Sequence, residues 1–301
     1  MADNDPVEPK TNIIDSEFGT IRKPTASISA GVNAAIAKNV PKGISTMTMD
    51  SESLPDYFHV LIYGETNSGR TTAAAMFGGP ERTLIISTRA PEQVRIPLRG
   101  LGFHNPIFAD DSQALLWAIQ CPEKAADVAG FPEWKDRADR VLVIDDMTEG
   151  MALLVDDNSF RDDGSEVKNG MQIYGATKQD VRAAVNSLKR KKMHVIYTAL
   201  HGENDTQIYP DMSSGSRKIL LADLEYVFYA KPSRKFRTQP ENVAYIVKDN
   251  KGKEVARNRT LMTKCKIPKA YWGKVPPLVS QEEGMDLAEI WRKITSARGT
   301  K

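Results

Sequence analysis

Short apolar runs separated by helical stretches make up most of the chain from residue 58 onward. These runs are FHVLIY, TLIIS, PIFA, RVLVID, MHVIYTAL and LEYVFYA. Because continuous apolar runs that alternate with helices are typical of buried parallel strands, the pattern predicts a mostly parallel central sheet. The predicted fold class is therefore α/β, with helices on both faces of the sheet.

Three helices are predicted between these strands, at residues 71–77, 112–127 and 176–192. In the last one Val181, Val185 and Leu188 repeat at helical spacing, which indicates a buried face. The basic run KRKK at residues 189–192 suits the negative end of a helix dipole, and a DNA contact is the alternative. The polar segment 156–170 is longer than a typical connection and is predicted to be a mobile loop.

The pattern divides the chain into three parts. Residues 1–53 are rich in Pro, Ser, Thr, Asp and Lys around one short helix-forming segment, VNAAIAKNV, which predicts a flexible arm or a segment that orders on a protein partner. Residues 54–240 form the core, and residues 241–301 a hairpin with its turn at 249–252, followed by a helix over 282–298. The apolar face of that helix consists of Met285, Leu287, Ile290, Trp291 and Ile294.

Composition narrows the function only slightly. The 301 residues are 41% hydrophobic and 27% charged, as in soluble globular proteins. Because the 41 basic residues are nearly balanced by 39 acidic ones, any nucleic-acid contact needs a local basic patch. The two cysteines and four histidines lack zinc-ligand spacing, and no apolar run approaches the roughly 20 residues of a membrane span. We expect a cytoplasmic protein without membrane association.

The segment GETNSGRTT follows the first apolar run and has phosphate-loop spacing, G-x-x-x-x-G-R-T where the pattern is G-x-x-x-x-G-K-[ST]. Glycines permit the backbone dihedrals that turn successive N–H groups inward, and the following helix adds its positive end. A tight glycine turn without a ligand is the alternative. The predicted nucleotide-binding residues, for ATP, are Gly64, Glu65, Thr66, Asn67, Ser68, Gly69, Arg70, Thr71 and Thr72.

An acidic strand end provides the second half of the predicted site. The run RVLVIDD delivers Asp145 to the carboxyl edge of the sheet, where ligands of open α/β sheets bind. There Asp145 and the Thr71 hydroxyl would hold Mg²⁺ between them. The alternative for Asp145 is a helix cap.

In this order the motifs resemble the phage-encoded RecA-like P-loop ATPases of AAA type linked to single-strand annealing recombination. The resemblance covers residues 57–280 and rests on VLIYGETNSGRTT, RVLVIDDMTEG, VIYTALHGENDTQIYPDMSSGSRK and VARNRT followed by KVPPLV. It implies a RecA-like fold, a homo-oligomer, Thr71 and Asp145 at Mg²⁺, and His201 as a sensor near the γ-phosphate. It also implies Arg217 or Lys218 as a finger that reaches a neighbouring subunit's nucleotide. The alternatives are a histidine bonded to backbone and two solvated surface cations.

The chain departs from this family's pattern at two positions. Arg70 replaces the lysine of the phosphate loop, which keeps the charge but not the compact ammonium. The second strand of the family commonly ends in an acid that polarises water, whereas this chain has Arg89, which cannot act as a base. The acids nearby are Asp146 and Glu149, of which Asp146 either activates water or caps a helix with Thr148. Slow or absent hydrolysis is therefore expected.

The leading hypothesis is an ATP-binding RecA-like protein of phage origin that acts in DNA recombination or replication. Single-stranded DNA would bind the basic segments 231–237 and 257–259, with Phe236 as a stacking ring; a solvated surface is the alternative. The second hypothesis is a catalytically inactive P-loop scaffold in phage assembly or the virion. A small-molecule kinase is disfavoured because no lid of clustered arginines is recognisable.

Overall fold

The computed structural model describes residues 56–160, 164–265 and 279–296, which all belong to the unit Ser53–Lys301. The predicted arm at residues 1–53 lies outside the described residues, as do its segment VNAAIAKNV and residues 274–278 of the KVPPLV motif. In the described part no helix is both long and apolar enough to span a bilayer.

The described residues form strands, α-helices and one 3₁₀ helix, Pro132–Asp136. The strands are β1 His59–Gly64, β2 Thr83–Ser87, β3 Ile107–Phe108, β4 Val141–Asp145, β5 His194–Glu203, β6 Gln207–Pro210, β7 Tyr226–Lys231, β8 Lys235–Arg237, β9 Glu241–Lys248, β10 Glu254–Leu261, β11 Lys264–Cys265 and β12 Glu282–Gly284. The helices are α1 Arg70–Gly78, α2 Pro91–Leu98, α3 Ser112–Gln120, α4 Pro122–Val128, α5 Met147–Asp157, α6 Gly170–Lys189, α7 Ser214–Asp223 and α8 Leu287–Ser296.

The central sheet has the strand order β3-β2-β4-β5-β1-β7-β8-β12. The pairs from β3 to β7 are all parallel, and β8 and β12 extend the sheet in antiparallel fashion. All six apolar runs of the sequence are strands of the parallel part, which confirms the mostly parallel α/β prediction. Strand β5 lies between β1, which precedes the glycine loop, and β4, which ends in Asp145.

Helices cover both faces of the sheet, as predicted. Along β1 the side chains alternate, with Leu61 and Tyr63 in one apolar cluster and Val60 and Ile62 in another. The first cluster includes side chains of α3, α5 and α6, and the second those of α1, α2 and α8. Because both faces are buried, the strands read as continuous apolar runs in the sequence.

Several predicted boundaries are wrong. The helix expected over residues 112–127 is broken at Cys121, because Pro122 lacks an N–H and begins α4 as its first residue. Helix α6 begins six residues early, where the Asn169 side chain accepts a hydrogen bond from the Met171 N–H. It ends at Lys189, so the rest of KRKK lies beyond it. Residues 156 and 157 of the predicted loop belong to α5, and residues 161–163 are outside the described part.

The C-terminal segment joins the rest of the fold through strand pairing. Strands β9 and β10 are antiparallel, and the Gly252 N–H donates to the Asp249 carbonyl between them. Strand β10 also pairs with β6, and β12 with β8. The predicted helix over residues 282–298 begins only at Leu287 because residues 282–284 form β12, and residue 298 lies outside the described part.

Candidate functional site

The glycine loop lies at the carboxyl edge of the parallel strands, between β1 and α1. Gly69 precedes α1 with φ of 87°, and Asn67 has φ of 64°, so both adopt the left-handed conformation that this turn requires. A Cβ at Gly64 would lie 2.4 Å from the carbonyl oxygen of Ala230 on β7. The two glycines of the motif therefore have separate physical reasons: Gly69 allows the turn and Gly64 the close approach of β7.

A cavity of about 450 Å³ opens beside this loop. The loop side is formed by Thr66, Asn67, Gly69, Arg70, Thr71 and Thr72, and the opposite side by Arg89, Glu92, Gln93, Ile96 and Pro97. The opposite wall belongs largely to α2, a helix that the sequence analysis did not predict. The hydroxyl of Ser68 is buried without a hydrogen-bond partner among the described residues, and it belongs to the same loop.

Glu65, the first residue inside the loop, is exposed and hydrogen-bonds the Tyr229 side chain of β7. Burial, with the neighbouring acids Glu65 and Glu203, raises the pKa of Tyr229 to about 12. A tyrosine hydroxyl is protonated near neutral pH even at its ordinary pKa, so this one can donate to Glu65.

Thr71 and Asp145, the two predicted magnesium ligands, are hydrogen-bonded to each other across β5. The Thr71 hydroxyl donates to Asp145 Oδ1 over 2.9 Å, and the Thr198 hydroxyl of β5 donates to the same oxygen over 2.5 Å. The other carboxylate oxygen, Oδ2, is buried without a hydrogen bond. Thr198 was not predicted, although it lies in the run MHVIYTAL, which the sequence analysis assigned to a strand.

The Arg89 guanidinium lies beside the Thr71 hydroxyl and the Asp145 carboxylate. Its Nη1 lies 3.3 Å from Thr71 Oγ1 and 3.8 Å from Asp145 Oδ2, and its Nε donates to Gln93 Oε1 over 3.2 Å. Mg²⁺ prefers such oxygens, but it needs them in an octahedron at about 2.1 Å. The residues have the right donor chemistry for magnesium, yet as they stand they do not fit the ion, because a guanidinium already lies against both ligands.

Arg70 is held inside the protein. Its side chain is 4% exposed, donates to the Ala199 carbonyl and lies 3.7 Å from Asp146 Oδ2. Burial lowers the pKa of Arg70, and the adjacent carboxylates of Asp146 and Asp145 oppose this shift. The guanidinium is thus engaged by β5 and Asp146.

Asp146 has two partners at the same sheet edge. Its carboxylate caps α5 by accepting the Thr148 N–H over 2.8 Å, as one of the two sequence alternatives predicted, and it also pairs with Arg70. Burial raises the pKa of Asp146 to about 6, although Arg70 and the Thr148 N–H lower it. Arg70, Arg89, Asp145 and Asp146 therefore form a four-charge cluster, which we call the edge cluster.

The other predicted catalytic residues do not line the cavity. Glu149 is exposed in the first turn of α5. His201 lies on β5 near Tyr229, with a ring separation of 6.2 Å, and its Nδ1 is buried without a hydrogen bond in the described part. On α7, the Arg217 guanidinium lies 3.9 Å from the Tyr209 ring centre, while Lys218 is exposed.

The predicted nucleic-acid segments contain one clear error. Phe236 is fully buried in the sheet, so it cannot stack on a base. Lys231 and Lys235 both pair with Glu282, and Arg237 pairs with Glu241. In the second segment Arg259 pairs with Glu203 over 2.5 Å and lies over the ring of Tyr245. Arg234 and Arg257 are exposed.

Comparison with known proteins gives partial structural matches. No protein-family model matches the sequence, and no curated protein matches it. A prototypical ATPase from the type III secretion system of pathogenic bacteria is similar at 13% identity and a TM-score of 0.40, over 57% of this chain and 50% of that chain. The cytoplasmic domain of the Thermomonospora curvata type VII secretion ATPase EccC is similar at 10% identity and a TM-score of 0.34. That match covers 67% of this chain and 24% of the other. This chain thus spans half of the first protein's length and about a quarter of the second's.

Proposed function

We propose that this chain binds ATP in the cavity beside residues 64–72, as a RecA-like P-loop protein. The observation that carries the proposal is the Thr71–Asp145 hydrogen bond, which joins the glycine loop to the acidic strand end across β5. Loop N–H groups and the positive end of α1 favour an anion at this place. The Ser68 hydroxyl, which lacks a partner among the described residues, adds a donor.

We further propose that hydrolysis is slow or absent. A general base must be free to accept a proton from the attacking water. The Asp146 carboxylate is engaged by Arg70 and by the Thr148 N–H, and Arg89 has no acceptor to offer. Arg70 in the loop and Arg89 after β2, the two departures from the family's pattern, would thus also remove the chemistry of turnover.

The biological setting that we propose is phage DNA recombination or replication in the host cytoplasm. It is supported by the ordered motifs that resemble the recombination-linked ATPases. A homo-oligomer, a protein partner for residues 1–53 and contact with single-stranded DNA belong to the same proposal. Without Phe236 as a stacking ring, the DNA contact would depend on phosphates and on exposed cations such as Arg234 and Arg257.

A second candidate is an inactive P-loop scaffold in phage assembly or the virion. It is favoured by the edge cluster, in which Arg70 and Arg89 already lie against protein carboxylates. The Arg70 guanidinium, buried between the Ala199 carbonyl and Asp146, would bind phosphate only by giving up one of these partners. The scaffold hypothesis expects a folded protein that assembles without ATP and does not bind it.

Calorimetric titration with ATP distinguishes the two candidates. The loop variant is Gly69→Asp and its matched control is Gly252→Asp, because both glycines have a positive φ, 87° and 77°, and both variants carry the same backbone strain. We expect wild type and Gly252→Asp to bind ATP and Gly69→Asp to lose binding, since only Gly69 lines the cavity and a carboxylate there adds negative charge beside the phosphates. A folded wild type that binds no ATP would favour the scaffold.

The DNA contact needs its own measurement. Binding of a fluorescent single-stranded oligonucleotide is recorded with and without ATP at two salt concentrations. Phosphate contacts predict weaker binding at higher salt. An affinity that responds to neither ATP nor salt would remove DNA from the proposal.

A further inference from the structure

We propose that Arg89 replaces magnesium in this site, so that the chain binds the triphosphate without a divalent cation. The inference rests on the proposed function, because it concerns the same cavity. It differs from that function in assigning the source of the positive charge beside the phosphates: a side chain of the protein.

The first step is positional. The Arg89 Nη1 lies 3.3 Å from Thr71 Oγ1 and 3.8 Å from Asp145 Oδ2. A magnesium ion bound to both oxygens at about 2.1 Å would compete with this guanidinium for the same two groups. The arginine and the ion therefore exclude each other from the same ligands.

The second step is electrostatic. Asp145 is 1% exposed and its Oδ2 has no hydrogen bond in the described part, so its carboxylate needs a nearby cation. Arg89 provides that charge through the 3.8 Å ion pair, and its side chain is still 19% exposed toward the cavity. The ligand pair that would otherwise attract a metal is thus already neutralised.

The third step concerns phosphate recognition. A guanidinium has five N–H donors, and the described hydrogen bonds engage Nε with Gln93 and Nη1 with Thr71. Donors therefore remain for a phosphate in the cavity that Arg89 lines. Guanidinium is weakly hydrated and matches phosphate oxygens in a bidentate fork, which suits it to this role.

The fourth step concerns rigidity. Gln93 lies on α2 four residues after Arg89 and holds the Nε, while Thr71 lies on α1 and holds the Nη1. Contacts from two helices fix the guanidinium against the sheet edge. A metal at Thr71 and Asp145 would have to displace the Thr71 contact and would meet a like charge, whereas an anion gains from the arrangement as it stands.

The test is titration of the full chain with ATP in magnesium buffer and in EDTA. The variants are Arg89→Gln, which removes the charge, Arg89→Lys, which keeps it, and Arg292→Gln, an exposed arginine on α8, as the control. We expect the Kd of wild type, Arg89→Lys and Arg292→Gln to change less than about threefold between the buffers. For Arg89→Gln we expect ATP binding to be about tenfold or more weaker in EDTA than in magnesium. The variant has lost the charge-assisted contact of Arg89, and only magnesium can then supply positive charge beside the phosphates.

The outcomes separate this inference from the proposed function. Wild type that binds in magnesium but loses binding in EDTA would overturn the inference and leave ATP binding intact. Equal binding of Arg89→Gln in both buffers would also overturn it, because the charge would then come from elsewhere. A folded wild type that binds ATP in neither buffer would overturn the proposed function, and the inference with it. Circular dichroism of each variant verifies the fold.

Discussion

Arginines differ in burial between the edge cluster and the antiparallel pair of strands β9 and β10, which we call the ladder. In the edge cluster Arg70 is 4% exposed and lies beside the buried carboxylate of Asp146. On the ladder Arg257 is exposed, and Arg259 pairs with Glu203, half of whose side chain is exposed. The same residue type is thus a structural element of the interior at Arg70 and a solvated cation at Arg257, whereas Arg259 is largely covered, with 18% of its side chain exposed.

The difference lies in what surrounds the charge. A buried ion pair has lost its hydration, so removal of one partner leaves an uncompensated charge in a medium of low dielectric constant. An exposed pair is screened by water and contributes little. A function can therefore be assigned to a basic motif only once the burial of its side chains is known.

The largest expected effect is that of Arg70→Ala. It leaves the Asp146 carboxylate buried without its cation, and we expect a loss of about 3–5 kcal/mol in the free energy of unfolding. The control is Arg257→Ala on the ladder, for which we expect a change within about 0.5 kcal/mol. Urea denaturation measures both. Similar losses for the two variants would show that the comparison between the regions does not hold.

The double variant Arg70→Lys/Arg89→Glu tests whether the edge cluster suppresses turnover. It restores the compact ammonium and places a carboxylate where a base is needed. If the rest of the site is intact, we expect Mg²⁺-dependent ATP hydrolysis about a hundredfold above wild type, the contribution of one general base. Phosphate release measures the rate, with Arg70→Lys alone as the control. No gain would mean that the site lacks more than these two groups.

The pKa of Asp146 predicts a pH dependence of stability. In the unfolded chain the group titrates near 3.8, and burial raises its pKa to about 6 in the fold. The native state therefore keeps a proton that the unfolded state has lost, and the free energy of unfolding falls as pH rises through this window. Its contribution is complete below pH 3.8 and lost by about pH 6.

Asp146→Asn removes this titration. Relative to the variant, wild type should lose about 1–3 kcal/mol between pH 4 and pH 7, at about 1.4 kcal/mol per pKa unit. Denaturation curves across that range measure the difference. Parallel profiles for the two proteins would show that Asp146 titrates normally in the fold.

The smallest effect is expected for Arg259→Ala on the ladder. The variant loses the pair with the half-exposed Glu203 and the contact with the Tyr245 ring. We expect a destabilisation below about 1 kcal/mol, and less at high salt. Denaturation at low and high salt measures it. A loss as large as that of Arg70→Ala would place Arg259 with the buried cations.

Much of the fold was predictable because its signals are local. Continuous apolar runs identified the six strands of the parallel part. Helix α2 was missed because PEQVRIPL contains two prolines and little apolar periodicity, and it is stabilised by burial of Val94 and Leu98. The break at Pro122 was missed because the flanking residues continue a helical pattern.

For the candidate site, the sequence by itself determined the loop and the acid. Glycine spacing and the position of Asp145 at a strand end are properties of short segments, and the Thr71–Asp145 contact followed from them. Only the tertiary structure decided where the two arginines go. Arg70 contacts Ala199, 129 positions away, and Arg89 contacts Thr71 across 18 positions. Charge alone does not specify which partner a long side chain reaches, because the partner is created by the strand order that brings β5 between β1 and β4.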